Sequence, residues 1–146
     1  MFGLHMRGWL PDGIAGSSRA VAMILLIDDD GFYRGVIRRI LEDDGHQVIE
    51  ALDGAEGLDM YRRYKPALVI TDMRMPGVEG AEVIRTLRQM DRGARIIAVS
   101  GAGTFYNVDF FQLAKEVGAN VILRKLDPME RILIEVDRAL KLAQLT

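Results

Sequence analysis

The chain has 146 residues, of which 49% are apolar, so it is long and apolar enough to form one domain with a substantial core rather than a disordered chain. Its 19 basic and 21 acidic residues almost cancel, which disfavours a broad nucleic-acid-binding surface. The absence of cysteine excludes a disulfide scaffold and thiolate metal sites, and no apolar run approaches a membrane span, so we expect a soluble, cytoplasmic protein.

Residues 1–22 do not share the pattern of the rest of the chain. Their apolar side chains are scattered among Gly, Pro, Ser and Arg without a continuous apolar run, which argues against a secretory signal. We predict an irregular, flexible leader, or an upstream start with Met23 close to the functional beginning, and one domain over residues 23–146. The alternative is a docking segment that uses Trp9 and Leu10 as anchors.

From Met23 onward, the pattern predicts strands that alternate with amphipathic helices. Short apolar runs bounded by breakers are typical of strands buried on both faces, and apolar residues at helical spacing mark the helices between them. Asp30 is expected to cap the first helix, whereas His5 and His46 have no evident partner and are interpreted as surface residues. In order, we predict a strand at 23–27, a helix at 32–44, a strand at 47–52, a helix at 54–64, a strand at 67–71, a helix at 80–90, a strand at 95–99, a helix from about 105 to 117, a strand at 121–123 and a final helix with Asp127 as its N-cap and Pro128 at its first position.

This alternation implies right-handed βαβ units around a parallel sheet with helices on both faces. The five units resemble the flavodoxin-like (βα)5 fold. The predicted fold class is therefore α/β, a three-layer sandwich whose five parallel strands have the order 2-1-3-4-5. That order places the first and third strands side by side.

Acidic residues follow these two neighbouring strands. Asp28, Asp29 and Asp30 come directly after the first strand, and Asp72 comes directly after the third. Open α/β sheets bind their ligands at the carboxyl ends of the strands, and carboxylates this close cannot all stay ionised unless a cation joins them. A hard divalent ion with oxygen ligands is the natural solution, so the cluster predicts Mg²⁺.

Four segments at the predicted strand ends form one larger pattern. They are Ile-Asp-Asp-Asp after the first strand, Thr-Asp-Met-Arg-Met-Pro-Gly-Val-Glu-Gly after the third, Ser100 after the fourth and Lys125 after the fifth. Together they resemble the receiver domain of two-component response regulators, and the resemblance runs from about Met23 to the C-terminus.

The resemblance implies a role for each of these residues. Asp72 would be the phosphoacceptor, whose carboxylate attacks a phosphohistidine to form an aspartyl phosphate. Lys125 would contact the phosphoryl oxygens, and the Ser100 hydroxyl would bind another of them and act as the switch. The implied Mg²⁺ ligands are Asp28, Asp29, Asp72 and the main-chain carbonyl of Arg74.

The resemblance also implies how the protein works. We expect a single-domain response regulator that is not an enzyme in the usual sense, with a histidine kinase or histidine phosphotransfer protein as its donor. It would be a monomer or a weak dimer through the C-terminal helices, without direct contact to nucleic acid or membrane. Two alternatives stay open. One is a phosphate-independent interaction module; the other is a small Mg²⁺-dependent phosphatase, although such enzymes typically carry Asp-x-Asp after the first strand.

Three departures from the family pattern concern the output. Proline does not directly follow Lys125 but stands at Pro128, and Ile122 occupies a position where many receivers carry Tyr or Phe. The segment from Ser100 to Gly118 is a few residues longer than in compact members, and Tyr106 within it is interpreted as a packing residue. We expect output through the loop and helix after Ser100, with coupling that differs from that of other receivers.

Overall fold

The structure is a computed structural model that describes residues 21–75, 79–101, 104–105 and 108–145. Its strands are β1 (Met23–Ile27), β2 (Gln47–Ala51), β3 (Leu68–Asp72), β4 (Ile96–Ser100), β5 (Thr104–Phe105), β6 (Val108–Asp109) and β7 (Val121–Arg124). Its helices are α1 (Gly31–Asp43), α2 (Gly54–Tyr64), α3 (Gly80–Met90), α4 (Phe110–Val117) and α5 (Met129–Leu145).

The main sheet has five parallel strands in the order β2-β1-β3-β4-β7. In terms of these five strands alone, this is the predicted order 2-1-3-4-5, so the predicted flavodoxin-like α/β fold is confirmed. The carboxyl ends of β1 and β3 are neighbours, because Ile27 pairs with Thr71 in the parallel register. The residues that follow these two strands therefore meet at one edge of the sheet.

Helices cover both faces of the sheet, and each face has its own core. On one face, α1 and α5 pack against alternate strand residues such as Ile24, Leu26 and Ile70. On the other face, α2, α3 and α4 pack against the intervening residues, such as Leu25 and Val69. The strands are buried on both faces, which explains why they appear in the sequence as continuous apolar runs.

Several predicted helix boundaries are confirmed. The Asp30 carboxylate accepts hydrogen bonds from the Phe32 and Tyr33 N–H groups at the start of α1, as a capping residue does. At the other end of α1, Gly45 adopts a φ of 99°, a left-handed conformation that glycine reaches without steric cost. Gly118 ends α4 in the same way, with a φ of 104°.

The start of the fourth helix was predicted wrongly. We expected a helix from about residue 105, but α4 begins at Phe110, and the short strands β5 and β6 pair as an antiparallel hairpin before it. The Asp109 carboxylate accepts hydrogen bonds from the N–H groups of Phe111 and Gln112, so it caps the helix at this point. Tyr106, which we interpreted as a packing residue, lies outside the described residues.

The start of the last helix also differs slightly from the prediction. The helix α5 begins at Met129, one residue later than expected. The carboxylate of Asp127 accepts a hydrogen bond from the Arg124 N–H at 2.9 Å. Asp127 therefore closes the turn that leads out of β7, and the prediction that it is the N-cap of the last helix was wrong.

The environment of His46 contradicts its interpretation as a surface residue. The side chain is buried, with Nε2 3.7 Å from an Asp44 carboxylate oxygen, while Nδ1 accepts a hydrogen bond from the Ala22 N–H at 3.3 Å. The Gln47 N–H in turn donates to the Ala22 carbonyl at 3.0 Å.

The predicted leader, including Trp9 and Leu10, lies outside the described residues apart from its last two positions. Over the part of the chain that is described, no helix combines the length and the apolar character that crossing a bilayer would require.

Candidate functional site

Three carboxylates converge where β1 and β3 end. Asp28 follows β1, Asp72 is the last residue of β3, and ligand oxygens of Asp28, Asp29 and Asp72 all lie within 4.8 Å of one another. Asp28 is 1% exposed and Asp72 is 5% exposed, whereas Asp29 is open to solvent. The structure thus brings together the acids that the sequence selected.

The position of Asp28 is fixed by contacts from several elements. Its N–H donates to the Ala51 carbonyl at 3.2 Å, and its carboxylate accepts from the Asp30 N–H at 2.8 Å. Arg34 donates from Nη1 to the Asp28 main-chain carbonyl at 2.7 Å and pairs through Nε with Glu50 at 3.1 Å. Arg34 therefore ties the acidic turn to β2, a role that the sequence analysis did not recognise.

The backbone around Asp72 is held by a close helix approach. A Cβ at Gly80, the first residue of α3, would overlap the Asp72 carbonyl oxygen and the Cα of Met73. Only glycine therefore lets α3 begin this close to the end of β3. The Arg74 N–H donates to the Asp72 carboxylate at 3.4 Å, which places the Arg74 main chain beside the acids.

Lys125 directly follows β7, the strand that pairs with β4, and its side chain extends to the acids. Its Nζ lies 2.9 Å from an oxygen of Asp28 and 3.4 Å from an oxygen of Asp72. Its N–H donates to the Ser100 carbonyl at 2.9 Å, and Ser100, which is buried, ends β4 one residue beyond the register partner of Asp72. Ser100 and Lys125 therefore lie at the same edge as the acids.

Burial and charge interactions shift the pKa values of the two buried acids and of Lys125. Desolvation, with a further contribution from the Asp28 charge, raises the pKa of Asp72 to about 6. Desolvation also raises the pKa of Asp28, against its hydrogen bonds from the Asp30 N–H and Lys125. Desolvation lowers the pKa of Lys125, but the Asp28 hydrogen bond and the charges of Asp72 and Asp28 outweigh it, so this pKa is raised overall. The positive charge of Lys125 therefore does not fully offset the effects that raise the pKa values of Asp28 and Asp72.

The chemistry of this donor set fits a magnesium ion. All the candidate side-chain ligands are carboxylate oxygens, and Asp29 opens the cluster to water, which Mg²⁺ retains in many sites. A cation would also relieve the repulsion that raises the pKa of Asp72. The residues present therefore fit the Mg²⁺ that the receiver-domain resemblance implies.

One aromatic contact at the site was not anticipated. The Tyr33 ring, from the first turn of α1, has its centroid 4.7 Å from the Lys125 ammonium nitrogen. In the sequence, Tyr33 stands three and four residues before Val36 and Ile37, so its spacing predicts only a place on the packed face of α1. Ile122, where many receivers carry an aromatic residue, is half-buried and packs against the core of α2, α3 and α4.

The comparison with known proteins agrees with this site. The family model for the response regulator receiver domain matches residues 24–137. Sporulation initiation phosphotransferase F of Bacillus subtilis is 31% identical over 66% of this chain and 75% of that protein. The chemotaxis protein CheY of Halobacterium salinarum is 39% identical over 55% of this chain and 67% of that protein.

A solved structure shares the fold at similar identity. The response regulator receiver domain protein from Clostridium thermocellum has a TM-score of 0.77 and 31% identity, over 85% of this chain and 98% of that one. The region that the family model matches, residues 24–137, includes the five main strands, apart from the first residue of β1, and the acidic edge. The chain belongs to the response regulator receiver domain family.

Proposed function

We propose that Asp72 accepts a phosphoryl group from a phosphohistidine donor in a reaction that depends on Mg²⁺. Receiver domains are signalling domains rather than conventional enzymes, and accepting a phosphoryl group is their general role. The observation that carries the proposal for this chain is the convergence of Asp28, Asp29 and Lys125 on the Asp72 carboxylate.

In the proposed reaction, an Asp72 carboxylate oxygen forms a bond to phosphorus. The bond between phosphorus and the donor imidazole nitrogen breaks, and that nitrogen keeps the electron pair and is protonated. Lys125 lies 3.4 Å from Asp72 and would neutralise a phosphoryl oxygen as a point charge. Asp72 is the nucleophile, and because the transition state of phosphoryl transfer is largely dissociative, the other residues would contribute mainly positioning and charge neutralisation.

Asp28 and Asp29 would hold the metal together with Asp72, and the Arg74 carbonyl is proposed as a further ligand. When bound, Mg²⁺ supplies positive charge that relieves the repulsion between the carboxylate and the incoming phosphoryl group. The location of the Arg74 main chain next to Asp72 supports this assignment, since its N–H contacts the same carboxylate.

Ser100 is the proposed switch residue. Two observations support this role: Ser100 ends β4 next to the register partner of Asp72, and its carbonyl accepts a main-chain hydrogen bond from Lys125. A hydroxyl bond to the phosphoryl oxygen exists only in the modified state, so it would favour one arrangement of the segment leading to α4. In Ser100→Ala we expect the adduct to form without the hydrogen-exchange change in α4 that accompanies it in the parent; an unchanged response would contradict this role.

The proposed donor is a histidine kinase or a histidine phosphotransfer protein, the classes with which receiver domains interact in general. The similarity to a phosphotransferase and to chemotaxis proteins supports exchange with such a donor. We expect the exchange to take place in the cytoplasm.

The decisive test is the intact mass of the protein after incubation with acetyl phosphate. We expect one phosphoryl adduct that requires Mg²⁺ and is lost in Asp72→Asn. Asp59→Asn, which changes an exposed acid on α2, is the matched control and should retain the adduct. Absence of the adduct in a folded parent that binds Mg²⁺ would favour the phosphate-independent module, whereas turnover of simple phosphomonoesters would favour the phosphatase.

A further inference from the structure

The contact between Tyr33 and Lys125 is the closest of three ring and cation contacts seen in the described residues. The Lys125 nitrogen lies 4.7 Å from the Tyr33 centroid, against 5.0 Å for Arg124 over Phe111 and 5.9 Å for Arg63 over Tyr64. The Lys125 side chain is 17% exposed, so little water screens the contact. A cation over the face of a tyrosine at this distance is attracted by the ring quadrupole, and more strongly where it is desolvated.

The Tyr33 ring is anchored independently of the lysine. Its N–H donates to the Asp30 carboxylate at 3.2 Å, which fixes the backbone at the start of α1. The ring itself is half-buried and packs against the core between α1, α5 and the sheet. The Tyr33 ring is therefore held in place by its own packing and covers one side of the ammonium group.

Among the described residues, the other contacts of the Lys125 ammonium are with groups whose charge changes in the proposed reaction. Asp28, at 2.9 Å, is a proposed metal ligand, and a cation bound there would repel the ammonium. Asp72, at 3.4 Å, loses its full negative charge when it forms a bond to phosphorus. The contact with the Tyr33 ring does not depend on either charge, so it persists when both carboxylate contacts weaken.

We propose that Tyr33 is a positioning residue for phosphoryl transfer: its aromatic ring holds the Lys125 ammonium at the end of β3, where it can meet the phosphoryl oxygens. This inference rests on the proposed function. The ring, rather than the hydroxyl, carries the effect, because the ring face is the part of Tyr33 that the cation contacts. Phenylalanine should therefore replace it and leucine should not.

The kinetic test measures the initial rate of adduct formation with acetyl phosphate and Mg²⁺. Loss of a desolvated cation–π contact is expected to slow Tyr33→Leu by about three- to tenfold, while Tyr33→Phe recovers most of the rate. Tyr64→Leu is the matched control, since Tyr64 is an exposed tyrosine on α2 that also lies beside a cation. Circular dichroism and urea midpoints establish that each variant is folded.

A double-mutant cycle shows whether the effect passes through the lysine. In a Lys125→Met background, Tyr33→Leu is expected to cause no further slowing. Equal slowing in Tyr33→Phe and Tyr33→Leu, no slowing in a folded Tyr33→Leu, or a full effect in the Lys125→Met background would each overturn the proposal.

A second readout does not depend on phosphorylation. The chain has four lysines, so the ε-methylene signals of a ¹³C-lysine-labelled sample can be assigned by substitution of each one: Lys65, Lys115, Lys125 and Lys141. The ring current should displace the Lys125 signal upfield of the others, with and without Mg²⁺, in the parent and in Tyr33→Phe but not in Tyr33→Leu. An undisplaced signal in the parent would overturn the contact itself. A displaced signal in a parent that forms no adduct would instead show that the proposed function fails while the contact exists.

Discussion

The two ends of the main sheet each place a cationic side chain among partly buried polar groups, but they differ in the charge of the groups that face the cation. At the carboxyl ends of β1 and β3, Lys125 faces the carboxylates of Asp28 and Asp72. At the amino ends of β4 and β7, Arg88 from α3 faces neutral oxygen atoms. At the acidic end, the carboxylates among the described residues outnumber the one nearby cation. At the opposite end, the Arg88 guanidinium donates its hydrogen bonds to neutral acceptors.

The hydrogen bonds of Arg88 explain why its end of the sheet is a structural joint. Its guanidinium donates to the Gly118 carbonyl at 2.9 and 2.8 Å and to the Asn120 side-chain oxygen at 2.8 Å. It also donates to the carbonyl groups of Arg92 and Ala94. The Asn120 oxygen accepts in addition from the Ile96 N–H at 2.8 Å, so the network joins α3, the end of α4 and the start of β4.

The acidic end has the opposite character. Desolvation and the Asp28 charge raise the pKa of Asp72 to about 6, so at neutral pH the folded protein holds a carboxylate that would be more stable in water. A bound cation would relieve this conflict, which is why the proposed phosphoacceptor site lies at this end. The comparison teaches that burial alone does not mark a candidate site in this fold: one cation with hydrogen-bond acceptors around it forms a structural joint, whereas buried carboxylates that one cation does not balance form a candidate ligand site.

The largest expected effect is the loss of function at the acidic end. We expect Lys125→Met to slow adduct formation with acetyl phosphate by about 100-fold or more, because a positioned charge that stabilises a transition state contributes on this scale. Lys115→Met, on the exposed face of α4, is the matched control and should leave the rate unchanged. A Lys125→Met rate close to that of the parent would contradict the assignment of the chemistry to the acidic end.

At the other end, we expect a loss of stability without loss of chemistry. Arg88→Ala leaves the acceptors of its network without a donor and should lower the free energy of unfolding by about 2 kcal/mol, measured by urea denaturation. The five-residue strands separate the two ends by roughly 15 Å, so the rate of adduct formation should stay that of the parent. Arg62→Ala removes an exposed pair with Asp59 and serves as the control. Slower phosphorylation in a folded Arg88→Ala would show that the two ends are coupled.

The smallest expected effect is a gain of stability on removing the Asp72 charge. Because its pKa is raised in the folded state, Asp72 makes the parent lose stability as the pH rises from 3.8 through about 6, and Asp72→Asn lacks this contribution. In the presence of a chelator, we expect the variant to be more stable by on the order of 1–2 kcal/mol at neutral pH, a gain that disappears as the pH falls. Added Mg²⁺ should raise the thermal midpoint of the parent but not that of Asp72→Asn. A variant less stable than the parent at neutral pH would contradict the excess of negative charge.

Much of the fold could be predicted from the sequence because its evidence is local. Apolar runs that are buried on both faces, such as 68–71, mark the central strands whatever their neighbours are. Gly45 and Gly118 end helices because glycine adopts the left-handed backbone conformation without steric cost. Once the strand order is known, the acids after the first and third strands must meet, and the structure confirms that Asp28 and Asp72 do.

The sequence by itself therefore determined the order of the main strands and helices, the parallel sheet and the acids and lysine that meet at one edge of it. Tertiary packing alone decided how the side chains meet in three dimensions: the burial of His46, the place of Tyr33 over Lys125 and the close approach of Gly80 to Asp72. The late start of α4 belongs with these, since the pairing of β5 with β6 competes with helical spacing there. The physical reason is that residue spacing records which face a side chain occupies, whereas distances between elements depend on how helices dock against the sheet.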